Sequence, residues 1–141
     1  MEGELLSRQK IIISMKLINN IVTRCTGIDE EKVFVGVGVA EGNVYRVEEV
    51  FECRNVAQNP TVKFIADPMC LYKVFKYAEG KGMDVVLLAH SHPAPPEPSS
   101  EDLKGMKLWR IPWLIISSLS GEYRAWILSD NELIELEVEL I

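Results

Sequence analysis

Five apolar residues, Val85-Val86-Leu87-Leu88-Ala89, run directly into His90-Ser91-His92, and the chain has no other histidine. So short and apolar a run reads as a strand buried inside the fold. Residues i and i+2 of a strand point to the same side. Both imidazoles therefore emerge together on one face at the strand's end, where they could be hydrogen-bonded histidines or share one ligand. Two nitrogens so placed suit a borderline-soft divalent cation. Asp102 stands ten residues beyond His92, preceded by Ser99 in a Ser-x-x-Asp step. Two histidines and a carboxylate are three protein ligands, which leave a tetrahedral zinc one open position for water. That is the composition of a catalytic site.

The rest of the chain supplies an ordinary domain around this strand. Its 141 residues suffice for one domain, residues 1–141, with a real core. A 48% hydrophobic and 26% charged composition is that of a soluble globular protein. No apolar stretch approaches the roughly 20 residues of a membrane span, and the acidic start Met1-Glu2-Gly3-Glu4 lacks the order of a secretory signal. A cytoplasmic protein is expected. The net charge of −6 argues against nucleic acid, whose binding rests on Lys and Arg. Cys25, Cys53 and Cys70 form no Cys-x-x-Cys pair and read as small buried apolar side chains. A bridge between two of them is left open.

Periodicity places strands at 11–14, 33–39, 44–51, 61–66, 113–119, 123–128 and 133–140 besides the histidine strand. A helix follows residue 14, with Leu17, Ile18, Ile21, Val22 and Cys25 on one face and Gly27 ending it. Asp67-Pro68 starts a second helix, with Leu71, Phe75 and Ala78 toward the core. A third, from about 100 to 109, carries Asp102 and is weakened by Gly105. The prolines at 93, 95, 96 and 98 make the intervening loop stiff. Strands and about three helices without a regular βαβ repeat imply an α+β fold with helices flanking a mixed sheet.

Ser99 and Asp102 also have the spacing of a capping box, in which each side chain satisfies the other's backbone donor. Ser99 therefore has two open roles, as a cap or as a donor to a developing oxyanion.

The segment Ala89-His90-Ser91-His92-Pro93 … Pro98-Ser99-Ser100-Glu101-Asp102-Leu103 resembles the JAMM/MPN+ family of zinc metalloproteases, including its archaeal desampylase-like members. The resemblance covers about 11–128, with Asn55, Pro60, Phe64 and Asp67-Pro68 similar to the family's approach to its second helix. It implies a JAMM/MPN domain with a curved mixed sheet of cytidine-deaminase-like architecture. It also implies one Zn²⁺ on His90, His92 and Asp102, and a base at the head of a strand in a Glu-x-x-Gly-x-x-x-Gly pattern. Here Glu31 and Gly38 match while Phe34 replaces the first glycine, which keeps Glu30 as an alternative. The loop from His92 to Ser99 is one residue shorter than the family's. The implied activity is release of ubiquitin-like proteins from conjugates, with Ser99 on the oxyanion and broad linkage tolerance. By analogy the enzyme is archaeal, and a homodimer is left open.

Rival readings fare worse. A cupin would use Glu97, but that residue lies between two prolines and a third histidine is missing. A zinc deaminase needs Pro-Cys-x-x-Cys, and thermolysin-like proteases need His-Glu-x-x-His; both motifs are absent. The remaining alternative is a noncatalytic MPN scaffold, whose members typically lose ligands that this chain keeps.

Overall fold

A computed structural model describes residues 8–141, so the acidic start at 1–4 lies outside the described residues. The order of elements is β1 (Lys10–Ile13), α1 (Met15–Cys25), β2 (Val33–Glu41), β3 (Val44–Cys53), α2 (Pro68–Gly80), β4 (Asp84–His92), α3 (Ser100–Leu108), β5 (Trp113–Ser117), β6 (Tyr123–Ser129) and β7 (Glu132–Leu140). Among the described residues no helix is long and apolar enough to cross a membrane.

The α+β class holds, but the sheet does more than curve. Its strands run β1-β3-β2-β4-β5-β6-β7, and β1 also pairs with β7, closing a barrel. β1 lies parallel to both neighbours, and β4 is parallel to β5. The other pairings are antiparallel. Closure leaves no open edge among the described strands. β4 lies between β2 and β5 and contributes Leu87 and Ala89 to one core cluster and Leu88 to another, which explains a run of apolar residues on both of its faces.

Ser14 caps α1 by accepting from the Leu17 N–H, and Ile18, Ile21 and Cys25 recur at helical spacing to pack against the barrel. Gly27 follows the helix with a φ of 79°, a conformation that suits glycine. A second core cluster fills the space under α2 and α3, with Val74, Ala78, Met106 and Trp113. Gly105 belongs to it: a Cβ there would stand 2.7 Å from the Trp113 ring. The residue that weakens α3 as an isolated helix thus lets it seat on the indole. Gly38 answers a harder constraint. At the β2–β3 register shift a Cβ would lie 1.8 Å from the Arg46 carbonyl oxygen, so only glycine fits.

Three expectations need correction. Residues 61–66 form no strand; only Ala66 makes an isolated bridge, to Asn55. Asn55's side chain and the Asn59 carbonyl capture the backbone groups a strand would need. On α2 the buried pair is Val74 and Ala78, while Phe75 is half-exposed against Trp109. Positions 74 and 75 are neighbouring solutions of one helical pattern, and packing selects between them. Finally, Cys53 and Cys70 are not free: they form a disulfide joining the end of β3 to α2. Cys25 is free and buried, as expected.

Candidate active site

Three structural elements converge on the two histidines. Pairing of β2 with β4 sets Val33 opposite His90. Continuing that antiparallel register toward the site brings Lys32 level with Ser91 and Glu31 level with His92. The Ser91 N–H donates to the Lys32 carbonyl at 3.1 Å, and the Lys32 N–H donates to Ser91 Oγ at 3.0 Å. Ser91, on the opposite face of β4 from the imidazoles, thus locks the approach to β2. Glu31 is buried and its Oε1 lies 3.5 Å from His90 Nδ1. Glu30 is exposed.

The third element is α3. Ser99 Oγ accepts from the Asp102 N–H at 3.1 Å, and Asp102 Oδ2 accepts from the Ser99 N–H at 3.0 Å, a complete capping box. The cap fixes the carboxylate and leaves Oδ1 free to face His90 Nε2 at 2.9 Å. Ser99 therefore caps the helix. Its Oγ uses a lone pair to do so and retains its own hydrogen, so the two roles weighed for it are compatible.

The shortened proline loop is well anchored. Ala94 and Glu97 donate back to the His92 and Pro95 carbonyls, Trp126 donates its indole N–H to the Pro96 carbonyl at 2.9 Å, and Glu97 pairs with Arg124. Glu97 is thereby engaged with Arg124 on the surface.

His90 Nδ1 faces the Ser91 carbonyl at 3.2 Å, which suits a proton on Nδ1, and Nε2, 2.9 Å from Asp102 Oδ1, carries a second proton that a bound cation would displace. Both Nε2 atoms are buried without a properly directed hydrogen bond. Buried polar atoms are rarely left so, and two imidazole nitrogens together with a carboxylate are, once deprotonated, the donor set of a divalent cation. Among the described residues no trio of acidic, histidine and cysteine side chains is already gathered at metal-binding spacing. Instead His90 Nε2 pairs directly with Asp102.

The charges are strongly coupled. Burial opposes a charge on His90, but the Asp102 and Glu31 carboxylates outweigh it and push the imidazole up to about 9. Burial and the neighbouring His90 lower His92. Burial would raise Asp102, yet His90 and the Ser99 N–H hold it below the ordinary carboxylate value.

These groups open into a cleft of about 710 Å³. Residues 61–66 form one wall and α3 another, and Trp113 lines it as well. Phe64 lies against His90 with ring centroids 4.6 Å apart, and Trp113 meets the same imidazole edge-on. The sequence offered no signal for Trp113 beside the site, nor for Ser91 as a lock.

Residues 21–129, well over half of the chain, match the family described as prokaryotic homologs of the JAB domain. The chain belongs to that family. This bears out the JAMM/MPN resemblance. The JAB chain is 43% identical over 103 residues to a desampylase of Pyrococcus furiosus, covering 72% of each protein. It is 35% identical over 104 residues to a probable TtuB-protein conjugate cleaving protease of Thermus thermophilus, covering 73% of this chain and 68% of that one. A solution structure of a Desulfitobacterium hafniense protein shares the JAB chain's fold with a TM-score of 0.76 at 24% identity, covering 93% of this chain and 92% of that one.

Proposed function

We propose that this chain is a cytosolic zinc-dependent isopeptidase or peptidase that releases ubiquitin-like modifier proteins from their conjugates. One observation carries the reading: His90 and His92 stack side by side with buried Nε2 atoms, that of His90 2.9 Å from a carboxylate fixed by its own helix cap, with a buried glutamate alongside. The names of the Pyrococcus and Thermus relatives support the substrate class.

His90, His92 and Asp102 would hold the ion. When bound, zinc supplies Lewis acidity and lowers the pKa of a coordinated water toward about 7. Glu31 takes the proton of the attacking water and delivers one to the leaving amine. The Ser99 hydroxyl donates to the carbonyl oxygen as negative charge develops there. Val62 and Leu108, exposed apolar residues of the cleft walls, contact the extended modifier tail, which lies along the cleft between residues 61–66 and α3. Only residues 109–112 separate α3 from β5, so no long insertion screens the cleft and broad linkage tolerance is expected. The scaffold alternative has less support, because the chain retains every residue that the chemistry requires.

Metal analysis of the purified protein, paired with cleavage of a ubiquitin-like fusion, tests the proposal. About one zinc per chain is expected, with activity abolished by a chelator and restored by zinc. A folded chain that cannot be loaded with zinc, or that cleaves equally well after chelation, overturns it.

A further inference from the structure

Glu31 lies just ahead of β2, where its own peptide groups have no partner in the sheet ladder. The turn that follows β3 supplies those partners. The Glu31 N–H donates to the Pro60 carbonyl at 2.7 Å, and the Glu31 carbonyl accepts from Asn55 Nδ2 at 2.8 Å. The same Nδ2 also donates to the Lys63 carbonyl at 3.0 Å and, more weakly, to Pro60 at 3.3 Å. On its other side Asn55 Oδ1 accepts from the Ala57 and Ile65 N–H groups, each at 3.0 Å. One carboxamide thus gathers five backbone groups from three stretches of chain.

The chemistry singles out asparagine. A carboxamide has two N–H donors and an oxygen with two lone pairs, and here the donors face only carbonyls while the oxygen faces only N–H groups. Aspartate has the same shape but would turn an oxygen on the three carbonyls. Alanine would leave the Glu31 carbonyl and the Ala57 and Ile65 amides without these partners.

We infer that Asn55 is a positioning residue: it fixes the Glu31 peptide against the turn at 57–65 that carries the 61–66 cleft wall, so that the base and the substrate-binding wall move as one unit. This rests on the reading of Glu31 as general base. It adds that the base's placement is set by a side chain that touches neither substrate nor metal ligand. A shift near 1 Å in a reacting group can lower turnover about 10²-fold.

The test compares wild type, Asn55→Asp, Glu31→Gln and the double variant in single-turnover cleavage of a ubiquitin-like fusion, with zinc content and melting temperature measured for each. Asn55→Asp keeps the acceptor bonds to Ala57 and Ile65 and loses the donor to Glu31. It should retain zinc and lose turnover by about 10²-fold, with no further loss when added to Glu31→Gln. An equal loss in both backgrounds, or a lower melting temperature with unchanged turnover per folded molecule, overturns the inference. Full activity in Glu31→Gln alone refutes the underlying base assignment, a result distinct from either. Hydrogen exchange on the unaltered protein stands even if the variant misfolds. The amides of Glu31, Ala57 and Ile65 should share one opening free energy, and a Glu31 amide that exchanges far faster than the other two also overturns it.

Discussion

Ser99 carries two roles in one atom group, and a pair of substitutions separates them. Its oxygen accepts from the Asp102 N–H, while its hydrogen remains available to the cleft. Ser99→Ala removes both, and losing an N-cap hydroxyl to alanine costs about 1 kcal/mol within a range of roughly 0.5–2. Ser99→Gly also removes both, but glycine at an N-cap costs only a few tenths of a kcal/mol relative to serine. Neither loss empties the folded state of a domain stable by about 5–15 kcal/mol. The Ser99 N–H that holds Asp102 Oδ2 survives in both variants, so zinc content should survive too. Removing an oxyanion donor costs about 10²–10³ in rate. Stability should therefore fall in the order serine, glycine, alanine, whereas turnover should fall about equally for glycine and alanine, by roughly 10²–10³-fold. Single-turnover rates with enzyme in excess, set beside denaturant midpoints, read both orders. Wild-type turnover in both variants would reduce Ser99 to a cap, and rates that follow stability would refute the hydroxyl's role.

Glu31→Gln should keep its zinc and lose at least about 10²-fold in activity, whereas His92→Ala and Asp102→Ala should lose zinc and activity together; metal analysis beside a cleavage assay separates the two patterns. Replacing Cys53 and Cys70 by serine opens a bridge between residues 17 apart in sequence, which should lower stability by about 3 kcal/mol in denaturant titrations; an unchanged midpoint would contradict this. Burial pushes the Cys25 thiol up from 9.0 to about 11. The folded state thus favours the protonated thiol, a contribution complete below pH 9 and lost as pH rises toward 11. Cys25→Ala should remove that part of the alkaline decline, and native Cys25 should resist alkylation at mildly alkaline pH until the chain is unfolded.

Much of the site was legible because its signals are local. The two-residue period of a strand puts His90 and His92 on one face, and Ser99-x-x-Asp102 is a capping box wherever it opens a helix. Both follow from backbone geometry within a few residues. Sequence without the family resemblance could not choose between Glu30 and Glu31. That difference in burial arises only when β2 pairs with β4 and the Asn55 turn grips the Glu31 peptide. Other non-local features were equally hidden. Closure of β1 onto β7 joins opposite ends of the described chain. The Cys53–Cys70 bridge depends on where β3 leaves α2, and the inward choice of Val74 over Phe75 depends on what α2 packs against. Residues 61–66 make the same point from the other direction. Their composition favours a strand, but the side chain of Asn55 reaches their backbone first, and a partner so placed exists only in the folded molecule. Sequence by itself determined which groups could hold a metal and on which elements they ride. Tertiary structure decided that Glu31 is buried beside His90 while Glu30 stays exposed, because pairings between distant strands set that placement while periodicity acts only along the chain.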